Sequence, residues 1–63
     1  PEVTGDDLIA LGYEPGPMFS KLLKKCHLIH LAGVKKENVL RQIPSIVAML
    51  NRRDYQYQEY QNN

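Results

Sequence analysis

Apolar residues recur along this 63-residue chain at helical spacing, and no stretch alternates convincingly in the manner of a strand. Between Pro17 and about Leu31, one broad helical face is predominantly apolar and the other side carries lysines. That apolar face comprises Met18, Phe19, Leu22, Leu23, Cys26, Ile29 and His30. The pattern predicts an all-α domain, a small bundle of three to four short helices.

A shorter helix is predicted at the beginning of the chain. Thr4 can act as its N-cap, and Asp7, three residues later, completes a pair that resembles a capping box. Asp6 and Asp7 also suit the positive end of a helix dipole, so we interpret both acids as helix-start signals rather than as catalytic carboxylates. Gly12 fits the left-handed position that follows many helices.

The connection to the second helix contains two prolines around a glycine. Pro15 and Gly16 stand in the order that is typical of the two central residues of a type II turn. Pro17 suits the first helical position, because a backbone N–H there, which proline lacks, would have no intrahelical acceptor. We expect Gly16 to serve as the N-cap of this helix and Gly33 to follow its end.

A third helix is predicted from about Lys35, with a kink or break at Pro44 and a continuation to about Arg53. Beyond it the aliphatic residues cease and tyrosines alternate with glutamines. We therefore divide the chain into a helical domain, residues 1–53, and a flexible polar tail, residues 54–63.

The net charge of +1 conceals a strong partition along the chain. Residues 1–16 carry four acids and no base, whereas residues 17–53 carry all eight Lys and Arg against Glu37 alone. Residues 54–63 add two further acids. Such asymmetry favours a polyanionic partner such as nucleic acid, and the alternative is a solvated helical surface that is rich in lysine.

The chemistry of an autonomous enzyme is not recognisable in the sequence. It contains no phosphate-binding GxxxxGK[ST] loop, no GxSxG elbow and no pair of CxxC motifs. Cys26, His27 and His30 offer a workable two-ligand spacing on a helix, but a closed zinc site needs four ligands, and we expect Cys26 to be a core residue. We therefore expect no catalytic residue, no metal and no cofactor.

The single cysteine and the lack of a long apolar run bear on the location of the protein. One cysteine excludes an intrachain disulfide and fits a reducing compartment. No apolar run approaches the roughly 20 residues that span a bilayer. We therefore expect a cytoplasmic protein with no membrane partner.

The start of the second helix is the candidate for binding a phosphate. A helix N-terminus presents unpaired N–H groups and a positive dipole end, and three lysines follow within two turns. The candidate phosphate-binding residues are Gly16, Pro17, Met18, Phe19, Ser20, Lys21, Lys24 and Lys25. The alternative is that the turn only joins two helices, and the residues alone leave both interpretations open.

Several of these residues also form a recognisable pattern. Residues 5–12 (GDDLIALG), 15–17 (PGP) and 22–23 (LL), followed by leucine and glycine within residues 31–33, resemble the C-terminal segment of bacterial tRNA nucleotidyltransferases. These are the CCA-adding enzymes of the tRNA nucleotidyltransferase and poly(A) polymerase family. Their pattern is roughly G-x-D-L-x-x-L-G-x-x-P-G-P-x-x-G-x-x-L. The resemblance covers residues 3–33. It is carried by two sequence elements, G-x-D-L and LG-xx-PGP, which occur together at the expected spacing.

The resemblance implies a non-catalytic helical region that holds the elbow of tRNA, with residues 12–25 in the RNA-facing surface. In the family, the catalytic head lies upstream of this region. Because the chain begins with Pro1 rather than methionine, we expect an excised piece or a processed product, and the head of a parent enzyme would then be a partner. The alternative is a stand-alone protein that descends from such a tail. The family usually has glycine where this chain has Ser20, a difference that bears on close approach to phosphate or to another helix.

An interaction or oligomerisation module is the alternative function. Leu28 and Leu31 point away from the main apolar face, so a second packing partner is expected near the end of the second helix. This partner could be a second copy of the chain. Four apolar residues of the third helix also favour this alternative: Ile46, Val47, Met49 and Leu50.

Overall fold

The computed structural model describes the backbone of residues 1–62 and the side chains of residues 1–52. Over the described backbone the chain forms three helices and no strand. These are α1 (Gly5–Ala10), α2 (Pro17–Leu31) and α3 (Lys36–Asn62). The predicted all-α fold is confirmed, and the observed bounds of α2 agree with the predicted ones.

Both ends of α1 are closed by the residues that the sequence indicated. The Thr4 N–H donates to Asp7 Oδ2 at 2.8 Å, and the Asp7 N–H donates to Thr4 Oγ1 at 3.3 Å, which forms a complete capping box. At the other end, Gly12 has a φ of 99° and the Tyr13 N–H donates to the Leu8 carbonyl at 3.1 Å. This bond is typical of a Schellman motif, which places glycine at the left-handed position.

The predicted type II turn at Pro15 and Gly16 is wrong. A type II turn needs a φ of about +80° at its second central residue, whereas Gly16 has a φ of 163° and a ψ of −173°, an extended conformation. Two constraints explain this conformation. Gly16 precedes Pro17, which disfavours the helical region for it, and Gly16 is the N-cap of α2, a position with extended backbone.

The sequence predicted a kink or a break at Pro44. No break occurs, because α3 continues through this residue. Pro44 removes one helical N–H, and it lies on the exposed side of the helix. Its neighbours Ile43 and Ile46 are 1% and 5% exposed, so the core holds the helix on both sides of the proline. The helix therefore stays continuous although one hydrogen bond is missing.

The division of the chain at residue 53 stays a prediction. The backbone of α3 continues to Asn62. The side chains from residue 53 onward, and Asn63 altogether, lie outside the described part of the chain.

The core lies between α2 and α3 and is closed on one side by the first helix and the segment before it. α2 contributes Leu22 and Cys26, both fully buried. The other buried residues are Val3, Leu8, Val39, Ile43 and Ile46. Ile46 is therefore a core residue, which corrects its assignment to an interaction surface.

Candidate nucleic-acid interface

The N-terminus of α2 carries no side-chain cap and no acidic residue in its first turn. Helix geometry leaves the N–H groups of Met18 and Phe19 without an intrahelical acceptor. The Ser20 N–H differs, because it donates to the Gly16 carbonyl at 3.1 Å. The predicted trio of phosphate-binding amides is thereby reduced to two, since Ser20 already belongs to the helical hydrogen-bond ladder.

The side chains of Met18 and Phe19 do not take part in this opening. Both are half-buried, and Phe19 packs against the hydrophobic core. A Cβ atom at Gly5 would lie 3.5 Å from the Phe19 ring, so the ring fixes the start of α1 beside α2. These two residues can therefore offer backbone donors to a ligand while the Phe19 side chain holds the helix end against the core.

The three lysines of α2 lie in two separate rows along the helix. Ser20, Lys24 and His27 are spaced by four and three residues and share one row, and Lys21, Lys25 and Leu28 form the next. Lys21 and Lys24 are exposed, and Lys25 is half-buried. The basic side that the sequence predicted therefore consists of two neighbouring rows, both of which lead away from the α2 N-terminus.

The row that contains Ser20 borders a cleft of about 530 Å³ between the start of the chain and α2. The cleft is lined by Glu2, Val3, Thr4, Ser20, Leu23, Lys24 and His27. Across it, His27 Nδ1 lies 3.2 Å from Glu2 Oε1, and both side chains are about half-exposed. Ser20 thus lines an open cleft and is exposed, so its side chain is not closely packed against another helix.

An ion pair also joins the acidic start of the chain to the basic region. Lys36 Nζ lies 3.0 Å from Asp7 Oδ2. The Thr4 backbone N–H, followed by the Lys36 side chain, holds the pKa of Asp7 below its ordinary value. Lys36 is consequently engaged within the fold through Asp7.

Sequence reasoning missed both Glu2 and Asp7 as partners of basic residues. Asp7 was assigned only to the capping box, and Glu2 was counted only in the charge of residues 1–16. The opposite charges of the first two chain segments were the signal that pointed to such pairs. Pairing needed the path of residues 2–4 along α2, which no local pattern predicts.

The three residues considered for a metal have separate surroundings. Cys26 is fully buried, and burial raises the pKa of its thiol. His30 Nδ1 lies 3.3 Å from the Val34 carbonyl oxygen, and His27 contacts Glu2. Among the described residues, no group of three or more His, Cys, Asp and Glu side chains could hold a metal ion.

Leu28 and Leu31 are 54% and 66% exposed. Within residues 1–52 no segment covers these two leucines, so the second packing partner stays a prediction. None of the helices, as far as the structure describes them, is both long enough and apolar enough to cross a membrane.

Comparison of the sequence with models of known protein families gave no match, and neither did comparison with curated proteins or with solved structures.

Proposed function

We propose that this chain is a non-catalytic RNA-binding module of the cytoplasm, with tRNA as its RNA. The observation that carries the proposal is the uncapped, acid-free N-terminus of α2, which is followed at once by Lys21, Lys24 and Lys25. The resemblance of residues 3–33 to the tail of CCA-adding enzymes is the reason for choosing tRNA among RNAs. The catalytic head of such an enzyme would be its partner.

The N-terminus of α2 offers two kinds of contact to a nucleic-acid backbone. The Met18 and Phe19 N–H groups can donate to one phosphate at the positive end of the helix dipole. The ammonium groups of the lysine rows can then contact neighbouring phosphates. Contacts of this kind supply affinity and position the RNA without reading its sequence.

A charge-matched pair of variants tests this proposal. In the first, Lys21, Lys24 and Lys25 are all replaced by glutamine; in the second, the same is done to Lys35, Arg41 and Arg52, three basic residues outside α2. Binding of each protein to tRNA is measured by fluorescence anisotropy over a series of salt concentrations. The parent should bind with a steep salt dependence, because each phosphate contact releases counterions.

The α2 variant should lose at least tenfold in affinity and should show a flatter salt dependence, by about one unit of slope for each lost phosphate contact. The control variant should retain most of the affinity. Equal losses in both variants would show that only total charge matters, and a parent chain that does not bind tRNA would refute the proposal.

A second function, self-association or binding of a partner helix, is favoured by the exposure of Leu28 and Leu31. Association through these side chains would bury apolar surface and would respond little to salt. Sedimentation velocity at two protein concentrations, with and without tRNA, separates the two functions. A concentration-dependent dimer that ignores RNA supports the second, and a monomer that binds RNA supports the first.

A further inference from the structure

In the cleft between residues 2–4 and α2, the carboxylate of Glu2 lies beside a row of hydrogen-bond donors. This row leads away from the proposed phosphate site at the α2 N-terminus. Glu2 Oε1 lies 3.2 Å from His27 Nδ1, at the far end of the row that begins with Ser20 and Lys24. A carboxylate and a phosphate offer the same kind of charged oxygen to an N–H donor. Glu2 therefore occupies a position that a backbone phosphate of bound RNA could take.

The fold holds the backbone of Glu2 close to His27, while the Glu2 side chain remains about half-exposed. Val3 is only 7% exposed, and Thr4 is tied into the capping box of α1, so the backbone on the C-terminal side of Glu2 is held in place. The side chains of Glu2 and His27 are both about half-exposed. A contact between two such exposed side chains is weak and exchanges readily for another partner.

We propose that RNA extends from the α2 N-terminus along this cleft and that one of its phosphates replaces Glu2 at His27. His27 is then a further RNA-binding residue, and Glu2 is an intramolecular competitor that weakens binding. This inference rests on the proposed function, since it names additional residues and a regulating contact of the same interface.

A double-mutant cycle with Glu2→Gln, His27→Ala and the double variant tests the inference, with tRNA as the probe in about 0.1 M salt. Breaking an exposed ion pair corresponds to about a two- to fivefold change in an equilibrium constant, so Glu2→Gln should tighten binding by that factor. His27→Ala should weaken binding by a similar factor. In the His27→Ala background, Glu2→Gln should change the affinity by less than about 1.5-fold, because the competed position is gone.

Two results overturn the inference while leaving the proposed function intact. One is unchanged affinity in Glu2→Gln although the α2 lysine variant still loses binding. The other is equal tightening by Glu2→Gln in both backgrounds, which reports net charge alone. If the parent does not bind tRNA, the proposed function itself fails, and the inference fails with it.

A second measurement covers the case in which His27→Ala disturbs the fold. The imidazole resonances of His27 in the parent chain are followed by NMR as tRNA is added. His30 is the internal control, because its Nδ1 is hydrogen-bonded to the Val34 carbonyl oxygen. The His27 resonances should shift in step with binding, and those of His30 should stay. Unchanged His27 resonances at saturation would overturn the inference.

Discussion

At the scale of single residues, the acids near the start of the chain have several roles that their charge alone does not reveal. Asp7 accepts a hydrogen bond from the Thr4 N–H, donates its own N–H to Thr4 Oγ1 and pairs with Lys36. Glu2 contacts His27 instead. The acidic segment is thus bound to the basic part of the molecule through particular pairs, and each pair determines which cations remain available to a ligand.

The stability of the domain should depend on the ionisation of Asp7. The Thr4 N–H, together with Lys36, lowers its pKa in the folded state from the ordinary value of 3.8. A carboxyl group with a lowered folded-state pKa stabilises the fold above its unfolded pKa, and this contribution is lost as the pH falls through the folded pKa. We therefore expect the parent to be more stable than Asp7→Asn at neutral pH and expect this difference in stability to disappear at low pH.

Thermal melts of both proteins between pH 7 and pH 2 measure this effect. The parent should melt at a higher temperature than Asp7→Asn at pH 6, and the difference should shrink as the pH falls below 4. A difference that stays constant over the whole range would show that Asp7 acts through hydrogen bonds that do not depend on its charge.

At the scale of elements, the ends of the helices divide into closed and open ones. The N-terminus of α1 is closed by a capping box and acidic residues, whereas the N-terminus of α2 has a glycine cap and no acid in its first turn. Glycine is a tolerated N-cap, so α2 forms without a side-chain acceptor. The difference leaves one helix end in this part of the chain able to receive an external anion.

Supplying α2 with its own cap should change stability and RNA affinity in opposite directions. In Gly16→Ser, the hydroxyl can accept from the Met18 or Phe19 N–H, and no atom lies within 4 Å of the new Cβ position. We expect a gain of a few tenths of a kcal/mol in the free energy of unfolding. Affinity for tRNA should fall about two- to tenfold, the equivalent of one hydrogen bond.

Gly16→Ala is the matched control, since it adds the same Cβ without an acceptor. Urea denaturation and anisotropy measurements on the three proteins give both quantities. If the serine and alanine variants bind tRNA equally, the first-turn amides of α2 do not contact the RNA.

At the scale of the whole molecule, local chemistry was predictable from the sequence and the packing between segments was not. Thr4, Gly12 and Pro17 act through backbone bonds within a few residues, so their positions identified the helix ends correctly. Gly16 is the N-cap that the sequence predicted, but the predicted turn type is wrong, because the following proline and the capping role together override the turn signature of Pro15–Gly16.

Two features depend on contacts between distant parts of the chain: the continuity of α3 through Pro44 and the cleft beside Glu2. The burial of Ile43 and Ile46 against α2 holds α3 together across the proline. The path of residues 2–4 over α2 creates the cleft and joins Glu2 to His27. A periodicity argument treats each helix alone, so it indicated the lysines of α2 but not the contact between Glu2 and His27.

The small core makes the stability of the whole domain sensitive to one buried side chain. A domain of this size rarely has more than about 3–5 kcal/mol of stability, and truncation of a buried leucine to alanine costs about 2–5 kcal/mol. Leu22 is fully buried at the centre of α2. We therefore expect Leu22→Ala to be largely unfolded at 25 °C, with loss of helical circular dichroism and of tRNA binding together.

Leu28→Ala makes the same chemical change on the same helix, but at a side chain that is 54% exposed. Its free energy of unfolding in urea should stay within about 0.5 kcal/mol of the parent value, because no cavity forms in the core. If Leu22→Ala keeps the parent's urea midpoint, α2 and α3 do not share the core described here. If Leu28→Ala is the variant that unfolds, Leu28 is covered by a partner, and a concentration-dependent midpoint of the parent would identify that partner as a second copy of the chain.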